Sequence, residues 1–146
     1  MNTPERTYTI TEVAKLTGLA ASTLRYYESV GICPAIQRDD SSGHRIYTQS
    51  NLDFLSWVSC LAATGMSIEN MRQYIHNGKN GARNSALQVQ LLTEQDAVLK
   101  EEAARIRARR KYIEVKIKYW KALEARDTSL AQELAQQASD LIHELR

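Results

Sequence analysis

The chain has 146 residues, of which 43% are hydrophobic and 25% are charged, and its formal net charge is +2. This size suits one small domain with an appended element, and the composition is ordinary for a soluble protein. No run approaches the roughly 18 apolar residues of a membrane span, and the first ten residues lack a signal-peptide pattern, so we expect a cytoplasmic protein with no membrane partner.

The first 30 residues predict an extended lead-in and two short helices. Residues 7–10 alternate and are rich in β-formers, which indicates a short strand. Thr11 is predicted as the N-cap of a first helix that Gly18 ends, and a second helix is predicted over 21–30 with Leu24 and Tyr27 turned inward. Two short helices around a tight glycine-containing turn are typical of a helix-turn-helix.

A hairpin and two more helices are predicted next. Short strands over 36–38 and 45–47 flank the turn-rich stretch DDSSG, and a hairpin in this position is typical of a wing. Ser50 is predicted to begin a helix that runs to about Ala63. Ser67 is predicted to cap a fourth helix that runs to about His76.

A long helix is predicted over residues 84–124, which contain neither Pro nor Gly. Apolar residues recur every seven positions, and a second series three residues earlier is interrupted by Asp96 and Arg110. At 1.5 Å per residue this helix would span roughly 60 Å and needs a partner along its length, either a second copy or an intramolecular bundle. An antiparallel pair crossing near Ala103 would bring Asp96 of one copy towards Arg110 of the other. The predicted dimer-interface residues are Leu92, Leu99, Ile106, Ile113, Ile117 and Trp120.

Residues 127–146 predict a last short helix. Ser129-x-x-Gln132 has the form of a capping box, and an apolar stripe follows it. The stripe comprises Leu130, Leu134, Ala138, Leu141, Ile142 and Leu145. The predicted division is therefore a winged helix-turn-helix domain over 1–77, a linker and coiled-coil dimerisation helix over 78–126, and a C-terminal helix over 127–146.

The motifs of the N-terminal half resemble those of the MerR family of transcription regulators. The resemblance rests on T-I-T-E-V-A-K-L-T-G, on T-L-R-Y-Y-E-S-V-G, on the wing G-H-R-I-Y, and on G-M-S-I-E-N-M in the fourth helix. It covers about residues 7–77. It implies a mostly α fold in which a winged helix-turn-helix precedes a long antiparallel dimerisation helix and a short C-terminal helix.

The resemblance also implies a DNA-binding surface. Arg25 and Tyr26 would leave the outer face of the recognition helix, whose N-terminus at Ser22 and Thr23 would attract a phosphate. Tyr26 and Tyr27 have a second interpretation as core residues of an amphipathic helix. His44 stands where an aromatic residue is common in the family. The predicted DNA-binding residues are Thr11, Lys15, Ser22, Thr23, Arg25, Tyr26, Tyr27, Arg45 and Tyr47.

Family members act as dimers on promoters whose spacer is too long. They distort that DNA so that RNA polymerase can engage both promoter elements, which has the energetics of indirect readout. We therefore expect double-stranded promoter DNA, a second copy of the chain and RNA polymerase as partners. No catalytic constellation appears, so an enzyme is not expected, and the dispersed Cys and His residues predict neither a metal nor another cofactor.

Cys60 is the candidate sensor of a signal. No cysteine follows it, which disfavours the metal-sensing branches, whereas the small thiol-dependent members that answer aldehydes, electrophiles or nitrosative stress have a single cysteine in this helix. A thiolate is the nucleophile such chemistry needs. Alternatively Cys60 is a core residue, and the regulator has a non-thiol signal or no inducer; a coiled-coil adaptor for a protein partner is the other alternative. Cys33 is expected to be incidental.

Overall fold

The computed structural model describes residues 3–146, and nearly all of its regular structure is helical. It forms two compact units, Met1–Gln95 and Asp96–Arg146, with the boundary inside the longest helix. The elements in chain order are β1 (Thr7–Tyr8), α1 (Ile10–Thr17), α2 (Ala21–Ser29), β2 (Tyr47–Thr48), α3 (Gln49–Ala63), α4 (Ile68–Gly78), a 3-10 helix (Gly81–Asn84), α5 (Ser85–Glu124), α6 (Thr128–Asp140) and a second 3-10 helix (Ile142–Leu145). The predicted sequence of a winged helix-turn-helix, a long helix and a short C-terminal helix is confirmed.

The helix-turn-helix begins earlier than predicted. Thr9, not Thr11, is the N-cap of α1: its hydroxyl accepts a hydrogen bond from the Glu12 amide at 3.2 Å, and the Glu12 carboxylate accepts one from the Thr9 amide at 3.1 Å. This reciprocal pair satisfies two amides of the first turn. At the other end Gly18 adopts φ +76°, a left-handed conformation that ends the helix and turns the chain towards α2.

One hydrophobic core holds the first unit together. Its most completely buried side chains come from α1, α2, the wing, α3 and α4, and each Leu, Val or Met of this kind stabilises the fold by about 1.5–3 kcal/mol. They are Val13, Leu24, Ile32, Tyr47, Leu55, Val58 and Met71. Because Leu24 points into this core, the next residues on α2 face outward.

The wing is shorter than the predicted hairpin. Between the strands predicted over 36–38 and 45–47, a single bridge joins Arg38 to Arg45, and the Ile46 amide donates to the Gln37 carbonyl at 2.7 Å. Residues 47–48 pair instead with β1, in an antiparallel register that sets Thr7 opposite Thr48. At the wing tip the Asp39 carboxylate accepts hydrogen bonds from Ser41 and Ser42, which lower the pKa of Asp39 to about 2.

Of the two N-caps predicted for α3 and α4, only the cap of α4 agrees with the structure. Thr48, two residues before the predicted Ser50, caps α3 through a reciprocal pair of hydrogen bonds with Asn51. Thr48 is already fixed by its pairing with β1, so the helix begins directly after the strand. Ser67 caps α4 as predicted, with its hydroxyl accepting from the Asn70 amide at 3.1 Å.

The second unit packs α6 against the C-terminal part of α5. Its core consists of Val115, Ala122, Ala131, Leu134, Ala138 and Leu141. The N-cap of α6 is Asp127, whose carboxylate accepts from the Leu130 amide at 3.0 Å, so the predicted cap Ser129 is wrong. Half of the predicted α6 stripe is buried, but Leu130 and Ile142 are each 42% exposed. Among the helices of residues 3–146, none combines the length and the hydrophobicity that a membrane span requires.

Candidate nucleic-acid interface

A groove of about 680 Å³ lies between the start of α1, the recognition helix α2 and the wing. Three of the predicted DNA-binding residues line it: Thr11 from α1, Arg25 from α2 and Arg45 from the wing. Arg38 adds a further guanidinium, which donates to the Gly43 carbonyl at 3.1 Å. The fold thus brings together three arginines that are distant in the sequence.

The recognition helix presents its polar face beside this groove. Arg25 and Ser22 are exposed, Thr23 is half-buried, and Tyr26 is 49% exposed. The N-cap position of α2 is Ala20, which provides no side-chain hydrogen bond, and the first turn contains no acidic residue. The free amides of this turn are therefore available to an anion, and the helix dipole favours one there.

The wing is tied to the recognition helix by an ion pair. Arg45 donates from Nε to the Glu28 carboxylate at 2.7 Å, and both side chains are largely buried, at 18% and 17% exposure. The second carboxylate oxygen of Glu28 accepts from the Ile36 amide at 3.2 Å. Burial raises the pKa of the Glu28 carboxyl, but these hydrogen bonds and the charges of Arg45 and Arg38 outweigh it, so the pKa is lowered overall.

Two tyrosines predicted to contact DNA lie in the core instead. Tyr27 is 5% exposed and Tyr47 is 0% exposed. Tyr27 faces inward because it lies three residues after Leu24 on the same face of α2, which is the core interpretation that the sequence left open. Tyr47 is buried by the pairing of β2 with β1, and its hydroxyl has no hydrogen-bond partner. Both side chains are therefore too buried to contact a nucleic acid.

The remaining predicted residue, Lys15, is exposed in the last turn of α1. Neither the contact of Glu28 with Arg45 nor the position of Arg38 in the groove was predicted. Glu28 is part of the R-Y-Y-E motif, yet its partner Arg45 is 17 residues away. Nothing in the sequence alone pairs them.

The two cysteines lie in opposite environments. Cys60 is exposed on α3, and its thiol donates to the Ser56 carbonyl at 3.6 Å, which contradicts the interpretation of Cys60 as a core residue. Cys33 is buried, and that burial, reinforced by the negative charge of Glu28, raises the pKa of its thiol to about 11. Within residues 3–146 no three His, Cys, Asp or Glu side chains are grouped so that they could hold a metal ion.

The predicted dimer-interface residues form no core contacts in the single chain. Each is at least 37% exposed, and Trp120 reaches 63%. The full set is Leu92 at 44%, Leu99 at 37%, Ile106 at 53%, Ile113 at 54%, Ile117 at 50% and Trp120 at 63%. Exposed apolar side chains in such a regular series are typical of an interaction surface.

Comparison with known proteins places this geometry among transcription regulators. The family model for MerR HTH family regulatory proteins matches residues 8–77. An HTH-type transcriptional regulator of Bacillus subtilis, YyaN, is 37% identical over 71 residues, which cover 49% of this chain and 51% of that protein. A second from the same organism, AdhR, is 36% identical over 86 residues, which cover 59% of this chain and 61% of the relative. The chain thus spans only about half to three fifths of these relatives.

Solved structures match over more of the chain. A MerR family transcriptional regulator from Bacillus thuringiensis is 32% identical, with a TM-score of 0.59, over 77% of this chain and 97% of that one. HiNmlR, a MerR family regulator lacking the sensor domain and bound to promoter DNA, is 26% identical, with a TM-score of 0.68, over 88% of this chain and 96% of that one.

Proposed function

Because the chain belongs to the MerR family of transcription regulators, which are not enzymes, we propose that it binds promoter DNA as a homodimer and controls transcription by distorting that DNA. The observation that carries the proposal is the groove in which Arg25 of the recognition helix, Arg38 and Arg45 come together. The promoter complex of the similar regulator HiNmlR supports the choice of duplex DNA as the ligand.

In the proposed complex α2 enters the major groove. Arg25 forks onto a guanine edge or a phosphate, and Tyr26 donates its hydroxyl to the backbone. A phosphate binds at the uncapped N-terminus of α2, beside Ser22 and Thr23. Arg45 is held by Glu28 through Nε alone, so its terminal nitrogens are the groups that reach the backbone.

The test is fluorescence anisotropy with a labelled duplex from the promoter region next to the chain's own gene. Arg25→Ala should weaken binding about ten- to a hundredfold, the equivalent of about 1–3 kcal/mol for a base-reading arginine. Arg105→Ala is the matched control, because Arg105 is exposed on α5 and pairs locally with Glu101. Affinity should also fall steeply with salt as counterions are released. Equal loss in both variants, or no binding at all, would refute the proposal.

A second copy is proposed to cover the exposed series from Leu92 to Trp120. Antiparallel packing of two α5 helices would bury these side chains, as in other coiled coils. Ile106→Asp should shift the chain from dimer to monomer in sedimentation velocity, because it puts a charge at the centre of the interface. Ala104→Asp is the control, since Ala104 is exposed outside the series. A wild-type chain that sediments as a monomer at micromolar concentration would contradict the dimer.

Promoter distortion is the proposed link to RNA polymerase. Bending and untwisting an overlong spacer costs about 1–10 kcal/mol of DNA deformation energy, which the additional protein–DNA contacts offset. A duplex with donor and acceptor dyes at its ends should show increased energy transfer when the dimer binds. In vitro transcription with RNA polymerase should then respond to the spacer length, and a response that ignores spacer length would count against this mechanism.

Cys60 is the proposed sensor of aldehydes, electrophiles or nitrosating agents. The support is that Cys60 is exposed whereas Cys33 is buried. A sensor thiol must be accessible to the compound with which its thiolate form reacts. Cys60→Ser should retain promoter binding and lose the transcriptional response to such compounds. Cys33→Ala is the matched control and should retain the response. If the Cys60→Ser chain still responds, Cys60 is not the sensor, while the proposal that the chain is a DNA-binding regulator is unaffected.

A further inference from the structure

The start of α5 contacts the rest of the first unit chiefly through glutamine side chains. Among residues 85–95 only Gln88, Leu91 and Gln95 are half-buried, and the other eight are exposed. Gln88 and Gln95 are seven residues apart, so they lie on the same face of the helix and about 10 Å from each other along it. Two of the three side chains with which α5 rests on this unit therefore carry a polar amide instead of an apolar group.

Each of the two amides bonds to the end of a different helix. Gln95 donates from Nε2 to the Thr64 carbonyl at 2.7 Å, and Thr64 is the C-cap residue of α3. The last carbonyls of a helix have no partner within that helix, so Gln95 supplies one from α5. Gln88 donates from Nε2 to the Tyr74 carbonyl, in the second half of α4, at 2.8 Å. The first turns of α5 are thus bonded to both α3 and α4.

The surroundings hold each amide in place. A Cβ atom added at Gly65 would lie 3.8 Å from the amide nitrogen of Gln95. One added at Gly78 would lie 3.7 Å from that of Gln88, so each glutamine lies directly against a glycine. Gln88 also accepts a hydrogen bond from Asn77, which is only 3% exposed, at 3.2 Å. Because both polar atoms of the Gln88 amide are bonded, and a satisfied buried network is rigid, the contact has one preferred geometry.

These bonds fix an angle that an apolar contact would leave free. Burial of apolar surface is non-directional, whereas a hydrogen bond weakens steeply once its angle falls below about 120°. Two such bonds about 10 Å apart resist both a rotation of α5 about its axis and a tilt of α5 against α3 and α4. Since α5 is one continuous helix from Ser85 to Glu124, the direction in which it leaves the first unit depends on these two glutamines.

That direction matters for a dimer on DNA. In the proposed homodimer the two recognition helices are joined through the paired α5 helices, and dimeric DNA-binding proteins require a matching separation of their two half-sites. We propose that Gln88 and Gln95 are positioning residues that determine which half-site spacing the dimer accepts. Neither residue lines the groove of the proposed DNA interface, so they act through the angle of α5. This inference rests on the proposed dimer and on its binding of promoter DNA.

Affinity measured against half-site spacing tests this role. Footprinting first locates the two half-sites in the promoter region next to the chain's own gene. Labelled duplexes then carry the segment between them at its natural length and one or two base pairs shorter or longer. Each base pair rotates one half-site by about 35° relative to the other and moves it by about 3.4 Å. Wild-type affinity should fall at least about tenfold at two base pairs from the optimum, because the DNA has to be twisted to fit.

The test variant combines Gln88→Met and Gln95→Met, which keep the length of both side chains and remove their hydrogen bonds. A loosened α5 should let each recognition helix follow its half-site, so that the fall at two base pairs shrinks to about threefold or less. Each chain is compared with its own optimum, so a uniform loss of affinity or stability does not produce this result. Gln90→Met is the matched control and should keep the wild-type profile, because Gln90 is exposed on α5 and donates to Glu94 of the same helix at 3.3 Å.

The outcomes separate this role from the proposed function. Gln95→Met alone removes the bond to α3 at a half-buried position, and it should flatten the profile in part even if the double variant does not fold. A wild-type profile in every variant that sediments as a dimer overturns the positioning role, as does equal flattening in Gln90→Met. A wild-type chain without any spacing optimum refutes the dimeric binding of promoter DNA itself.

Discussion

Glu28→Gln is the sharpest test of how α2 and the wing, which form the proposed DNA interface, are held together. The change keeps the shape of the side chain but removes its charge and one of its two acceptor oxygens, so that it can accept a hydrogen bond from Arg45 or from the Ile36 amide but not from both. A hydrogen bond to a charged group contributes about 1.5–3 kcal/mol and a neutral one about 0.5–1.5. The contact from the Ile36 amide, at 3.2 Å, is the weaker of the two and the one expected to be lost. With that loss and the weakening of the Arg45 bond, the free energy of unfolding should fall by about 2 kcal/mol.

Urea unfolding followed by tryptophan fluorescence, at one fixed protein concentration, measures this loss. The midpoint should fall by about 1 M, given an ordinary slope for a small domain. Because the pKa of Glu28 is lowered in the folded chain, its stabilisation is present above pH 4.5 and is lost as the pH falls through the folded value. The two chains should therefore converge in stability in acid. Glu5→Gln, at an exposed carboxyl, is the control.

Two results would refute the reasoning. The first is an unchanged midpoint at pH 7, which would mean that neither the charge of Glu28 nor its second acceptor oxygen stabilises the fold. The second is a difference between Glu28→Gln and the wild type that persists undiminished in acid, because the charge of Glu28 would then not be its cause.

Three other measurements follow from the structure. One of the two thiols should react with a thiol reagent at pH 7 in the native chain and both after unfolding, since Cys60 is exposed and the pKa of Cys33 is raised to about 11; two fast thiols would contradict this. Tyr47→Phe should raise the free energy of unfolding by about 1 kcal/mol by removing a buried hydroxyl without a partner, and calorimetry showing destabilisation would imply an unseen partner. Asp96→Ala and Arg110→Ala should each weaken the dimer by no more than about 1 kcal/mol, because both charges already have exposed local partners; sedimentation equilibrium showing a larger loss would identify an interchain pair.

Local signals predicted much of the fold. Gly18 ends the first helix as expected because its left-handed conformation is a property of one residue. The heptad series predicted α5 almost to the residue, since an apolar period of seven over forty residues without Pro or Gly fits a helix and not a strand. The first cap could also be predicted from local sequence, because Thr9-x-x-Glu12 is itself a capping box, although Thr11 was the predicted cap.

Contacts between distant segments could not be predicted in this way. Tyr47 is buried because β2 pairs with β1. A strand of two residues is too short to show an alternating pattern from which this pairing could be predicted. The same pairing fixes Thr48 and decides against Ser50 as the cap of α3. The Glu28–Arg45 pair likewise depends on how the wing folds back onto α2.

The ion pair bears on the proposed mechanism as well as on the fold. A regulator that distorts DNA has to be stiffer than the DNA it deforms, because otherwise the protein would relax and the promoter would stay straight. Arg25 extends from a helix whose neighbour Leu24 is 1% exposed in the core, and Arg45 is fastened to that same helix by Glu28. Helix and wing are therefore joined into one surface, and in the proposed mechanism a deformation cost of about 1–10 kcal/mol would fall on the DNA. On this argument Glu28→Gln, with a looser wing, should reduce promoter bending in the energy-transfer assay by more than it reduces binding.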